Sequence, residues 1–552
     1  MNRTLLTREF ARHNLSRWIV LLLDCSMVYL SGLVACVVNH GLANTVSNLG
    51  LILQTMLIYL SPFAAGFLLC GTYRNIFRRT SFPDLVCMAL AFAVTVIMLL
   101  RIFLHADNVL FAIRLRDLIL LSLLAVTTIC GMRVGVKTLY DLYLRYTTSG
   151  GAYGYSERQL IDLEMADLLD RNPIEVDMDE IRAKLSGRRI LVTGAAGSIG
   201  SELALQLASL RPQRLILIDQ AESPLHNLRL ELERLYPKTD CVYIVADICN
   251  GPRMERIFAS ESPEIVFHAA AYKHVPLMEE NPVESVTNNV GGTRLIADLA
   301  VSYKVEKFIL VSTDKAVNPT NVMGCTKRIC EMYCQSLSSN RPDGCRFITT
   351  RFGNVLGSQG SVIPTFRSQI RRGGPVMVTH PDIIRYFMLI PEACALVLEA
   401  AILGKGGEIF AFDMGKPVKI VELVRRMIAL SGRFDVKIEY CGLRPGEKLY
   451  EELLTEKEQV IPSSHPKIKI AKVEPSDKRR VSAQVNELLA TAHTFNAIAT
   501  VRSMKRMVPE YISNNSPYSA LDPSPSGPQP SLEVSPTTTD IYHNKPEIQP
   551  IA

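Results

Sequence analysis

The run ILVTGAAGSIGSELALQL, residues 190–207, confines the fold of its region more tightly than any other stretch of the chain. Ile190, Leu191 and Val192 make a short apolar strand, Gly194, Gly197 and Gly200 follow at even spacing, and Leu203, Ala204 and Leu207 then recur with helical period. A strand, a glycine turn and a helix in that order open a βαβ unit, and such units build a doubly wound parallel sheet with helices on both faces. Each glycine has its own task. Gly194 permits a tight turn, Gly197 lets backbone approach a phosphate, and Gly200 lets the helix pack close to the strand. The helix start at Ser198 and Ile199 offers unpaired N–H groups and a partial positive charge. A second strand, 215–218, ends in Asp219, about 20 residues on, where a carboxylate accepts from the ribose hydroxyls of a dinucleotide. No arginine directly follows Asp219, which favours NAD, with NADP as the alternative.

With 552 residues, 48% of them hydrophobic, the chain is too long for one ordinary domain, and its apolar excess lies at the N-terminus. Segments 18–38, 49–70 and 85–100 are each about long enough to cross the roughly 30 Å hydrocarbon core of a bilayer. A fourth, 118–132, is shorter and preceded by Arg114, Arg116 and Asp117. Arg3, Arg8, Arg12 and Arg17 precede the first segment, Arg74, Arg78 and Arg79 separate the second from the third, and Arg133, Lys137 and Arg145 follow the fourth. The loop 39–47 has no Lys or Arg, so the positive-inside rule puts the N-terminus and everything after Arg133 in the cytoplasm, which makes this a multi-pass protein of the inner (cell) membrane. The run Leu33, Val34, Ala35, Cys36 could mimic a lipoprotein cleavage site, but further apolar segments follow, so an anchor is the simpler reading. The thirteen cysteines include no zinc-like C-x-x-C pair, and no metal site is expected. The net charge of +6 is spread without a basic run interleaved with aromatics, which argues against nucleic-acid binding.

Four regions follow: a transmembrane region of about four helices over 1–145, a cytoplasmic connector over 146–187, an α/β domain over 188–510 and a disordered Pro/Ser-rich tail over 511–552. Within the α/β domain VYIVAD, EIVFHAA, KFILVST and RFITTRF read as strands separated by amphipathic stretches. After Arg351 the alternation loosens, as a small substrate-binding lobe built from insertions would require.

The second informative segment is KFILVSTDKAVNPTNVMGCTKR, residues 307–328. Open α/β sheets bind ligands at the carboxyl ends of their strands, so Ser312, Thr313, Asp314 and Lys315 should face the nicotinamide. Met323 and Lys327 fall on one face of the next helix. Here the chain resembles the extended short-chain dehydrogenase/reductase superfamily, and within it the membrane-anchored nucleotide-sugar 4,6-dehydratases of polysaccharide and glycan biosynthesis, the CapD/WbpM/PglF-like group. The superfamily pairs a Ser/Thr with Y-x-x-x-K, but Met323 stands at the tyrosine position. Methionine cannot accept a proton. The resemblance implies that Asp314 takes the C4 hydroxyl proton, that Thr313 orients the hydroxyl, that Lys327 binds the nicotinamide ribose, and that Lys315 removes the C5 proton if its surroundings lower its pKa.

The flanking motifs HAAAYKHVPLMEENP, RFGNVLGSQGSVIP, THPDIIRYFMLIPEA and GLRPGEKLYEEL match the same group. By resemblance Ala269, Ala270 and Ala271 pack on the adenosine side, Asp247 and Ile248 contact adenine, Lys273 lies near the sugar or its phosphates, Asn354, Arg385 and Arg444 serve the diphosphate, and Glu447 contacts the uridine ribose. Long members carry an extra Rossmann-like domain before the catalytic one, and the stretch between Tyr146 and Arg188 is too short for it, so the chain is expected to be a shortened member. The implied activity is that of a UDP-N-acetylglucosamine-type 4,6-dehydratase, with the UDP-sugar as substrate and homo-oligomerisation open. A UDP-sugar C4 epimerase shares the fold but relies on the missing tyrosine. A non-catalytic membrane-tethered nucleotide-binding scaffold would not need Asp314, Lys315 and Lys327.

Overall fold

The computed structural model describes residues 17–70, 82–105, 115–148 and, with short breaks, 174–523. Its N-terminal part is four long helices, Arg17–His40, Leu49–Cys70, Phe82–His105 and Leu115–Thr148, joined in one apolar core around Phe63, Phe67, Phe92 and Leu121. Three of them, over 18–40, 49–69 and 119–139, are long and apolar enough to cross a membrane, and the third in order carries a shorter apolar stretch, Val86–Met98. The fourth segment, read as shorter than the others, is thus part of the longest helix among the described residues. Arg133 is not a loop cation. It lies inside that helix, 1% exposed and paired with the buried Asp24 carboxylate of the first helix, so it drops out of the charge count that orients the chain. Much of the connector, 149–173 and 175, lies outside the described residues.

The α/β domain begins before Arg188. Asp177 caps the helix Met178–Leu185 by accepting from the Asp179 and Glu180 N–H groups, and Ile181 and Leu185 enter the domain core. The main sheet contains β1 (Arg189–Thr193), β2 (Arg214–Asp219), β3 (Cys241–Val245), β4 (Ile265–His268), β5 (Lys307–Val311), β6 (Arg346–Arg351), β7 (Ile409–Phe412), β8 (Gln459–Pro462) and β9 (Ile468–Lys472), in the order β8-β9-β7-β6-β5-β4-β1-β2-β3. From β7 to β3 all neighbours are parallel, whereas β8 and β9 add antiparallel pairs at the β7 edge. The sequence reading did not foresee those two strands.

Side chains alternate across the pleat, so each strand feeds two cores. Leu191, Ile216, Val266 and Phe308 face one layer of helices, and Ile190, Leu215, Phe267 and Ile309 face the other. Burial on both faces is why these strands read as continuous apolar runs. The strand order reverses between β1 and β4, which opens a crevice at their carboxyl ends. A smaller lobe, with its own core around Leu356, Phe366, Phe387 and Leu423, stands over that crevice and holds three two-stranded ribbons. The expected disorder after residue 510 is corrected for 511–523. Tyr511 is buried, the short helix Pro517–Leu521 buries Tyr518, and Asp522 accepts from the Lys505 ammonium. Residues 524–552 lie outside the description.

Candidate functional site

The glycine loop leaves β1 at Gly194, whose φ of +66° falls where side chains are rarely tolerated. A Cβ there would sit 2.6 Å from the Ala270 nitrogen, and one on Gly200 would sit 2.0 Å from the Gly194 oxygen. Both close approaches agree with the tasks inferred from spacing. The helix Ser198–Ser209 starts at Gly197 with no side-chain cap, which leaves its first N–H groups available to an anion. Asp219 ends β2 with Oδ2 accepting from Ala196 N at 2.9 Å and Oδ1 from Ala221 N at 2.9 Å. Each carboxylate oxygen keeps a lone pair for a ribose hydroxyl. The uncapped helix start, the tight loop and this carboxylate fit a dinucleotide.

A cleft of about 730 Å³ runs from the loop into the small lobe. Its walls bring together Gly194, Gly197, Ser198, Ile199 and Gly200 with Ala269, Ala271 and Lys273. The far walls supply Thr313, Lys315, Met323, Lys327, Asn354, Arg385, Arg444 and Glu447. Asp219, Asp247, Ile248, Ala270 and Asp314 do not line it: Ile248 is buried and Asp247 caps its own turn by accepting from Cys249 N.

The densest chemistry lies just past β5. Thr313 Oγ1 donates to Asp314 Oδ1 at 2.8 Å, and Lys315 Nζ donates to the same oxygen at 2.9 Å and to Asn354 Oδ1 at 3.1 Å. Asp314 is 1% exposed, and its buried Oδ2 has no hydrogen-bond partner among the described residues. Gly324 lets the helix Val322–Ser338 press onto this turn, since a Cβ there would meet the Lys315 oxygen at 2.2 Å. That helix sets Met323 and Lys327 into the wall, both buried. Burial lowers the pKa of Lys327.

Lys315 departs from the expectation of a lowered pKa. Burial opposes its charge, but the Asp314 carboxylate and then that of Glu451 outweigh burial and hold its pKa above the usual lysine value. In contrast, burial pushes the pKa of Lys273 down.

Beneath the cluster are groups that sequence reasoning passed over. Glu331 accepts from Ser312 Oγ at 2.7 Å and, through both oxygens, from Arg351 at 2.8 and 2.7 Å. Burial works against its charge, and Arg351 more than compensates, so the pKa falls below the usual glutamate value. His268 spans Thr193 Oγ1 at 2.8 Å and Thr293 Oγ1 at 2.9 Å; burial, with Lys327 adding to it, lowers its pKa to about 3. Arg385 differs from the open diphosphate donor expected. Its guanidinium donates to the Ile384, Leu449 and Lys448 carbonyls and to Glu447, which fastens the loop that carries Glu447 and Glu451. Glu451, 8% exposed, reaches into the cleft from this loop, and no spacing signal in the sequence singled it out. Among the described residues no group of three or more His, Cys, Asp or Glu could hold a metal ion.

A family described as "Polysaccharide biosynthesis protein" matches residues 190–473, which contain the glycine loop, the β5 cluster and the small lobe. The chain belongs to this family. Family membership bears out the resemblance read from the motifs. Over 330 residues the chain is 49% identical to the capsular polysaccharide biosynthesis protein CapD of Staphylococcus aureus, a match that covers 59% of this chain and 55% of that one. It therefore spans little more than half the length of CapD. An uncharacterized membrane protein of Methanocaldococcus jannaschii is 46% identical over 280 residues, covering 49% of this chain and 81% of that protein. Among solved structures, Pen from Bacillus thuringiensis is 33% identical, with a TM-score of 0.50 over 53% of this chain and 91% of that one.

Proposed function

We propose that the chain is a membrane-anchored 4,6-dehydratase for a UDP-N-acetylglucosamine-type sugar, with NAD resident in the crevice and the catalytic domain on the cytoplasmic face of the cell membrane. One observation carries the reading: Thr313, Asp314 and Lys315 form a single hydrogen-bonded cluster beside a wall in which Met323 replaces a proton acceptor. An epimerase needs one acid-base group for the C4 hydroxyl. A carboxylate and an amine together supply a second group, and only chemistry at C5 requires it.

NAD, held by the glycine loop, Asp219 and Lys327, would supply a hydride acceptor for C4 and a hydride donor for C6. The residues do the rest. Thr313, which lines the cleft, orients the C4 hydroxyl, and Asp314 behind it takes the proton through the Thr313 hydroxyl that donates to its Oδ1. The ketone so formed acidifies C5–H, which Lys315 removes as hydroxide leaves C6. Lys327 holds the nicotinamide ribose, Asp219 the adenosine ribose, and Asp247, Ala269 and Ala271 the adenine side, with Ile248 and Ala270 packed behind them. Lys273, Asn354 and Arg444 hold the sugar diphosphate, Arg385 contributes charge while it fastens its loop, and Glu447 meets the uridine ribose.

The test is incubation of the full chain in detergent with NAD and UDP-N-acetylglucosamine. A product lighter by one water supports the reading. An equal-mass C4 epimer would replace it with an epimerase, and retention of nucleotide without conversion would replace it with a scaffold.

A further inference from the structure

Lys315 poses a problem for its own role. An ammonium has no lone pair for C5–H, and two carboxylates favour the charged form. Asp314 is one of them. The other, Glu451, lies with Oε1 3.6 Å from Lys315 Nζ and 3.7 Å from Arg385 Nε. Its Oε2 is buried with no hydrogen-bond partner among the described residues. A buried carboxylate with an unused oxygen, next to an ammonium that must lose a proton, has the geometry of an acceptor once the pair tightens from 3.6 Å into hydrogen-bond reach.

We propose that Glu451 is a proton relay for Lys315, taking the ammonium proton so that the amine can abstract C5–H and giving it up to the departing hydroxide. This rests on the dehydratase reading above. The order of events makes the transfer feasible. When the C4 hydroxyl proton arrives on Asp314, that carboxylate is neutral and no longer stabilises the ammonium. Nζ–H then breaks as Oε1–H forms. The Nζ lone pair takes the C5 proton, the C5–H electrons become the C5=C6 double bond, and the C6–O bond breaks with hydroxide leaving. The proton on Glu451 passes to that hydroxide as water, so the ammonium and carboxylate are both restored. Protonation at C5 after hydride return uses Lys315, which the proton on Asp314 then recharges.

The charged groups around Glu451 support the acceptor role. Burial raises its pKa, while Lys315, Arg385 and, from its own loop, Lys448 pull the other way and Asp314 adds to the rise. The net rise brings it closer to the amine it must relieve.

The experiment compares wild type, Glu451→Gln and Glu451→Asp as full chains in detergent. Readouts are kcat and KM for UDP-N-acetylglucosamine against pH, and hydrogen exchange at C5 in deuterated water. If wild type forms no 4-keto-6-deoxy product, the dehydratase reading fails before Glu451 is tested. Given an active wild type, Glu451→Gln should lower kcat near neutral pH about 100-fold, the low end for loss of an acid-base group. KM should stay within about twofold, as expected for a step after binding. Because Lys315 must then lose its proton to solvent, the variant's kcat should climb about tenfold per pH unit on the alkaline side, where wild type is flat. C5 exchange should fall in parallel, and Glu451→Asp should recover part of it. Turnover of Glu451→Gln equal to or faster than wild type at neutral pH, a raised KM with unchanged kcat, or an unaltered pH profile would each overturn the proposal.

Discussion

Replacing Lys315 by alanine or by arginine separates its proton chemistry from its charge. Lys315→Ala removes the ammonium that Asp314 Oδ1 meets at 2.9 Å and Glu451 Oε1 meets at 3.6 Å. Lys315→Arg keeps a cation for those carboxylates, but a guanidinium does not lose its proton in proteins. If Lys315 is the C5 base, both variants lose the roughly 10²–10⁴-fold that an acid-base group contributes. That is about 3–5 kcal/mol of barrier, at 1.36 kcal/mol per factor of ten. If the residue supplied only positive charge, the arginine variant would keep most of the activity and only the alanine variant would fall. The assay follows product formation together with solvent deuterium entering C5, after the NAD content of each preparation has been checked. NAD should remain bound in both, because its phosphate loop and Asp219 are untouched. Near-normal C5 exchange in Lys315→Ala would refute the assignment and move suspicion to Lys273, whose pKa burial already lowers.

Three further outcomes follow from the supporting structure. Gly200→Ala drives a Cβ to within 2.0 Å of the Gly194 oxygen, so the loop must move, and the chain should purify with less than about a tenth of the NAD held by wild type, measured by chromatography of released nucleotide. Arg351→Met leaves the buried Glu331 carboxylate with only Arg328, at 3.3 Å, and Ser312, and should cost about 3 kcal/mol, the low end for breaking a buried pair, seen as a thermal midpoint several degrees lower; an unchanged midpoint would mean that the pair adds nothing. His268 has a folded pKa near 3 against an ordinary 6.5, so the unfolded chain binds the extra proton between these values. Its contribution is complete above about pH 6.5 and is lost as pH falls toward 3, up to about 5 kcal/mol. His268→Gln should flatten thermal stability over that window, and an equally steep decline in the variant would place the acid sensitivity elsewhere.

What the sequence disclosed and what it withheld divide along physical lines. Parallel strands buried on both faces are continuous apolar runs, and a loop that presses backbone against backbone admits only glycine at Gly194 and Gly200, so β1 to β6 and the crevice were legible from local pattern. The same holds for Asp314, Lys315, Met323 and Lys327, which share one strand end and the helix after it. Partnerships across distant segments leave no such pattern. Arg133 read as a loop charge because its partner Asp24 belongs to another helix, and Arg385 read as a ligand donor because the Leu449 and Lys448 carbonyls that occupy it arrive only when the small lobe folds. Tyr511 and Tyr518 looked like part of a polar tail because composition does not reveal the surface that buries them. The sign of the Lys315 shift belongs to this class only in part, since Asp314, its neighbour in the same motif, is the first of the two carboxylates that raise it. Burial alone would lower it, and burial is what its position after an apolar strand suggests. The second carboxylate, Glu451, comes from a loop in the other lobe, so its share of that shift, and with it the presence of a proton acceptor beside Lys315, is a property of the folded cleft and not of the motif that carries Asp314 and Lys315.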